Sequence, residues 1–129
     1  MAMLTEMVTG GKISESAYLC LKLAWLYRGE IEEAKANGAS QSDIDKYYNY
    51  EHEYLEDAYK GFKQALETEY PPIAGMDEMT IYYLLTSLAV ECGNNAEAKQ
   101  YGSSILLSRT ASAKLKNKTR DVLEAIKNN

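Results

Sequence analysis

The stretch Ala17–Tyr27, AYLCLKLAWLY, carries one polar side chain, Lys22. Such a run has few places to go. It lacks strand alternation, and as a helix it is apolar all round, so every side of it wants cover. Its 11 residues would rise about 16 Å as a helix, against about 30 Å of bilayer hydrocarbon, which is too short to span a membrane. The run therefore reads as a central helix of a packed domain, with no membrane association expected. A chain of 129 residues suits one domain with a core of its own.

Helical spacing continues along the rest of the chain. Met3, Leu4, Met7 and Val8 make a short amphipathic segment ended by Gly10 and Gly11. Ser14 is expected to cap helix 1, with Ile13 and Tyr18 as a hydrophobic staple, and Asn37-Gly38 offers a left-handed stop after Ala36. Helix 2 is predicted from near Ser42, with the box Ser42-Asp43-Ile44-Asp45, to about Glu69 before Pro71-Pro72. Its apolar stripe is Ile44, Tyr47/Tyr48, Leu55, Ala58, Phe62 and Ala65/Leu66, interrupted by Glu51, which puts the middle of the helix near its rim. Helix 3 is predicted from about Asp77 to Glu91, followed by Gly93. Helix 4 opens on an Asn94 cap with Glu97 at N3 and runs to about Leu107. Helix 5 spans about Ala111–Lys127 with Ala111, Leu115, Val122 and Ile126 on one side. Short loops make neighbours antiparallel. The expected fold is all-α, one domain over 1–129, with an N-terminal segment 1–11, a long hairpin 12–70, a second hairpin 76–107 and a C-terminal helix 111–127.

The two hairpins look like copies of one unit. The second resembles a tetratricopeptide repeat, with Tyr82, Leu85, Thr86, Ala89, Gly93, Ala98 and Ile105 at its spacings. Gly102 departs from it, standing where the pattern has a large aromatic. The first copy matches in halves: Cys20, Leu23, Ala24 and Tyr27, then Ala58, Phe62, Ala65 and the prolines beyond. Ala24, Ala58 and Ala98 are small enough to let helix backbones approach closely. Tyr27 and Ala58 lie 31 positions apart, where the repeat pattern has about nine. Shared equally, the excess is about 11 residues per helix, close to three whole turns, so each helix lengthens and returns to nearly the same face. Ile31 and Ala34 then carry the apolar edge of helix 1 towards Ile44 and Tyr47. Helix 1 would have helix 2 on one side and helix 3 on another. Its remaining side needs a lid: the Met3–Val8 segment, helix 5, a second subunit or a ligand.

The segments GGKISESAYLCLKLAWLYRGE, EDAYKGFKQALETEYPP and AGMDEMTIYYLLTSLAVECGNNAEAKQY resemble the helical part of an uncharacterised bacterial family, over about residues 11–107. AWLYR and GMDE are the most specific parts. The resemblance implies a tetratricopeptide-like tail that often follows a cysteine-rich, zinc-type module, and it implies no activity. That module has no counterpart in this sequence, which reads as a short member or as a piece of a longer protein.

Charge and cysteine usage narrow the class further. A net charge of −5 argues against general nucleic-acid affinity. The charge is uneven: residues 43–69 hold eight acids and three bases, net −5, and residues 109–127 hold six bases and two acids, net +4. These are solvated faces, or a basic tail that meets an acidic face on this chain or a neighbour. Lys114, Lys116, Lys118 and Arg120 lack the interleaved aromatics of a nucleic-acid site. Cys20 and Cys92 sit in apolar sequence with no C-x-x-C spacing, which suggests reduced, buried thiols and a cytoplasmic location. The N-terminus shows no basic leader.

Candidate sites are few. Repeat geometry turns Tyr18, Leu21, Trp25 and Arg28 of helix 1, with Thr80, Tyr83, Ser87 and Glu91 of helix 3, towards a concave surface. Tyr18, Leu21, Trp25, Arg28, Tyr83 and Ser87 are the residues expected to hold a protein or peptide partner, since rigid rings bury area at small entropic cost. Coverage of that face by the protein's own termini is the structural alternative. His52 and Glu56 share a helix face with Glu53 beside them, but two ligands make no metal site and the chain has one His. Ser103 and Ser104 stand in no strained nucleophile turn, and no glycine-rich phosphate loop is present. The tyrosines Tyr47, Tyr48, Tyr50, Tyr54 and Tyr59 sweep around helix 2 and offer a subunit contact. The expectation is a non-catalytic protein- or peptide-binding module, without cofactor or metal. A self-associating structural part, a homodimer, is the alternative.

Overall fold

The computed structural model describes residues 12–127. The described residues form five α-helices: α1 (Ile13–Ala36), α2 (Gln41–Thr68), α3 (Glu78–Glu91), α4 (Asn95–Leu106) and α5 (Ala113–Lys127). There is no strand among them, only an isolated bridge between Ile73 and Met76. The chain divides into two compact units, Met1–Gly61 and Phe62–Asn129, and the division falls within α2. The expected Met3–Val8 helix lies outside the described residues.

In the first unit, α1 and α2 pair as an antiparallel hairpin. Ala17 meets Gly61, Tyr27 stacks on Tyr54, Arg28 reaches Glu51 and Lys35 reaches Tyr48, so partners fall along α2 as they rise along α1. At the Ala17 end the helices come very close: a Cβ on Gly61 would lie 2.7 Å from the Ala17 Cβ. Small, buried Ser14, Ser16 and Ala17 permit that approach. Both helices are continuous up to the link 37–40. Cys20, Leu21, Ala24 and Ile31 of α1 are buried, as are Ile44, Leu55, Ala58 and Tyr59 of α2. Gly38, at φ +73°, closes α1, with the Ala39 N–H donating back to the Ala34 carbonyl at 2.9 Å.

Two helix starts differ from the sequence expectation. Lys12, not Ser14, is the N-cap of α1; the Glu15 carboxylate accepts from the Lys12 N–H at 3.4 Å, and Ser14 is buried in the first turn. Ile13 is then the first helical residue, so the Ile13–Tyr18 staple does not form as expected. Helix α2 begins two residues before the start that a Ser42 cap would give, because the Ser40 hydroxyl accepts from the Asp43 N–H at 3.2 Å. Both shifts extend a helix N-terminus to the nearest oxygen that takes up an orphan N–H.

In the second unit, the chain leaves α2 through Pro71-Pro72 and makes a tight turn. Ile73 and Met76 exchange hydrogen bonds of 2.8 and 2.9 Å across Ala74 (φ +50°) and Gly75 (φ +77°), and Ile73 is fully buried. The Asp77 carboxylate then caps α3, accepting from the Thr80 N–H at 2.8 Å. This contact holds its pKa below the ordinary carboxylate value. Gly93, at φ +79°, ends α3, and the Asn94 side chain caps α4 by accepting from the Glu97 N–H at 3.3 Å. The core holds Phe62, Ala65, Ile73, Ile81, Leu85, Ala89, Ala98 and Ile105, none with measurable exposure. Lys63 ties the end of α2 to α4 through Glu97 at 2.7 Å, which raises the Lys63 pKa.

Helix α5 packs on α3 and α4. It starts at Ala113 behind a Ser112 cap whose hydroxyl accepts from the Leu115 N–H at 3.1 Å. Ala111 thus precedes the helix instead of joining its apolar face. Ile126 is buried, Leu115 and Val122 are half-buried, and Thr119 is buried between them with its hydroxyl donating back to the Leu115 carbonyl at 2.8 Å. Gly102 finds its explanation here. A Cβ built on it would meet the Leu123 side chain at 2.9–3.2 Å, so Leu123 of α5 takes the room that an aromatic at 102 would fill.

Candidate partner-binding surface

Helix α1 is apolar on two sides, and only one is buried. Ala17, Cys20, Leu21, Ala24 and Ile31 turn inward. At 100° per residue, Tyr18, Leu19, Lys22, Trp25 and Leu26 share the opposite face. Tyr18 and Leu19 are each 37% exposed, Trp25 48% and Leu26 59%. Gly29 follows on the same face, and a Cβ there would meet nothing within 4 Å. The Lys22 ammonium lies 4.8 Å from the Tyr18 ring centroid, an arrangement that leaves an apolar strip with one cation across it.

The residues singled out from the sequence separate accordingly. Tyr18 and Trp25 stand on the open face. Leu21 is 2% exposed and belongs to the buried face instead. Arg28 is on the flank, 3.4 Å from the Glu51 carboxylate. That contact accounts for Glu51 in the apolar stripe of α2: it sits at the hairpin edge, where Arg28 meets it. Tyr83 and Ser87 are half-buried on α3, in the second unit. Leu19 and Leu26 complete the open face and were not singled out. Their seven-residue separation, repeated by Tyr18 and Trp25, is the signal that marks them.

Three tyrosines of α2 gather around Tyr27 of α1. The Tyr27 ring stands 6.1, 5.2 and 5.9 Å from those of Tyr47, Tyr50 and Tyr54. Positions 47, 50 and 54 follow helical spacing, so one ring of α1 is clasped along two turns of α2. Desolvation, with Tyr27 close by, raises the Tyr54 pKa. Tyr48 takes a different direction and accepts from Lys35 at 2.7 Å.

Polar groups elsewhere are engaged locally. His52 pairs with Glu56 at 3.0 Å on an exposed part of α2. The Ser104 hydroxyl donates to the Gln100 carbonyl at 3.2 Å. Among the described residues no group of three or more His, Cys, Asp or Glu side chains is placed to hold a metal, and no helix is long and apolar enough to cross a membrane. The Cys20 thiol is buried, and burial, followed by the nearby Asp57 charge, pushes its pKa up; Cys92 is half-buried, and neither cysteine is in a disulfide.

Helical pairs with a solvent-facing apolar strip define the class: an all-α domain whose notable feature is surface rather than cavity. More particularly, the chain belongs to an uncharacterized protein family conserved in bacteria, DUF2225, whose model matches residues 1–126. Neither the curated proteins nor the solved structures contain a match.

Proposed function

We propose that this chain is a tetratricopeptide-like helical-repeat module of the cytoplasm, which binds a protein or peptide on the open face of α1 and catalyses no reaction. The repeat reading is supported by the positions that match its pattern: Leu85, Thr86, Ala89, Ala98 and Ile105 are buried and Gly93 is left-handed. The binding reading rests on one observation, the exposure of Tyr18, Leu19, Trp25 and Leu26 along a single strip. From their exposures and ordinary side-chain areas, the strip amounts to roughly 400 Å², within the size range of functional patches. A stable dimer needs about 800 Å² from each partner. The strip is therefore the size of a docking site for one helix or short segment, which favours a bound partner over self-association.

The test joins capture with spectroscopy. A partner retained by the wild-type chain is expected to be lost with Trp25→Ala/Leu26→Ser and, once purified, to shift Trp25 emission. An unchanged emission spectrum in a saturated complex would remove Trp25 from the contact. Light scattering is expected to show a monomer. A stable dimer abolished by the same double substitution would transfer the strip to self-association.

A further inference from the structure

The geometry points to a second docking site, distinct from the α1 strip: the groove between α4 and α5 seats an acidic amphipathic helix of a partner protein. The groove has a volume of about 450 Å³ and is lined by Lys99, Ser103 and Leu106 of α4 and Arg120, Leu123 and Glu124 of α5. Lys99, Ser103 and Leu106 are spaced as one face of α4 over two turns, about 10 Å of axis. Leu106 and Leu123 are half-buried and supply the apolar floor, and Leu107 at the end of α4 is 84% exposed. Leu123 is held in place over Gly102. A furrow between two packed helices is shaped for the ridge of a third, since i, i+3 and i+7 side chains of a guest helix drop into it in register.

Charge decides which helix. Among the described residues Lys99 makes no ion pair, and Arg120 meets only a neutral amide, donating to Asn117 at 2.9 Å. Lys99 and Arg120 are both exposed, in a chain whose net charge is −5. Glu124 is the one acid lining the groove. A guest with carboxylates flanking an apolar stripe satisfies Lys99 and Arg120 and anchors on Leu106 and Leu123. A basic guest would face uncompensated repulsion. Such rim charges contribute selection and association rate more than affinity.

The probe is a fluorescein-labelled peptide with leucines at i, i+3 and i+7 and glutamates on both flanks of that stripe, titrated with the full chain by anisotropy. Its counterpart carries lysines for the glutamates. The acidic peptide is expected to bind at least about tenfold more tightly than the basic one and to weaken with added salt. Lys99→Glu/Arg120→Glu changes exposed side chains and should leave the helical circular dichroism intact while inverting the preference. Trp25→Ala should leave acidic-peptide binding unchanged, which separates this site from the α1 strip. Equal affinity for both peptides, no binding, or indifference to the double charge reversal would overturn the inference. So would a wild-type dimer that the same charge reversal dissolves, because the groove would then belong to a second copy.

Discussion

Gly61→Ala should destabilise this protein, against the usual rule for helices. In an open helix interior, replacing Gly by Ala stabilises by about 0.5–1 kcal/mol. Here the new Cβ would stand 2.7 Å from the Ala17 Cβ and 3.4 Å from its Cα. Carbon atoms in contact prefer about 3.5–4.0 Å, so the gap must widen by about 0.8 Å or more. Neither Cβ has a rotamer to turn, and the adjustment falls on the two helix backbones. Overpacking of this kind costs about 1–3 kcal/mol. After the propensity gain the net loss is about 0–2.5 kcal/mol, a fall in Tm of up to about 10 °C for a chain of this size. Urea unfolding followed by circular dichroism measures it. Ala17→Gly alone costs about 1 kcal/mol through propensity. Combined with Gly61→Ala it moves the methyl from one helix to the other and restores the spacing. The double variant is expected to be more stable than the sum of the singles by about 1–2 kcal/mol. A rise in stability for Gly61→Ala, or strict additivity, would refute the close approach of α1 and α2.

Gly102 should behave differently, because the atoms facing it are the tip of a flexible side chain. Gly102→Ala is expected to stay within about 0.5 kcal/mol of wild type, whereas Gly102→Tyr should expel Leu123, cost about 1.5–3 kcal/mol and speed amide exchange in α5. Asp77→Ala should lose about 1 kcal/mol at pH 7 as the α3 cap is removed. Because the folded-state pKa of Asp77 is depressed, the cap's contribution is complete above the unfolded value and disappears as pH falls through the folded one, so wild type and Asp77→Ala should converge in acid; a difference that persists there would contradict the assignment. In thiol titration, half-buried Cys92 should react before Cys20, whose burial keeps it protonated and inaccessible. Cys20 is expected to react only at the rate of unfolding, and equal rates for the two thiols would place Cys20 at the surface.

The helices were legible wherever a local signal dictates them. Gly38, Gly93, the Asn94 cap and the double proline after α2 punctuate the chain by backbone chemistry that needs no partner. The two long helices of the first hairpin were legible too, because periodicity survives in one dimension. What escaped depends on which neighbour arrives. Ser14 has the chemistry of a cap, but Lys12 and Glu15 close the turn first, leaving Ser14 to make room in the core. Leu21 and Leu19 are the same residue two positions apart; only the direction of α2 decides that one is buried and the other open. A helix apolar on both sides has too weak an amphipathic signal to name its core face. Gly102 has no explanation within its own helix; Leu123, 21 positions on, occupies the space beside it.

The placement of the α1 strip has a mechanical consequence. Behind Tyr18, Leu19, Trp25 and Leu26 stand Ala17, Cys20, Leu21 and Ala24, all 3% exposed or less. Beyond Arg28 the support thins. Ile31 and Ile44 are the buried apolar residues of the distal turns between Arg28 and Glu51. Their neighbours include the Tyr27 cluster, the Arg28–Glu51 pair and the Lys35–Tyr48 hydrogen bond, contacts at or near the surface. Surface pairs of this sort contribute about 1 kcal/mol or less each. The hairpin is therefore stiff at its base and weaker at its tip, and local opening should begin at the 37–40 link. The exposed aromatics lie on the stiff part. A partner that docks there meets side chains carried on well-buried helix turns, and little backbone conformational entropy remains to be lost on binding.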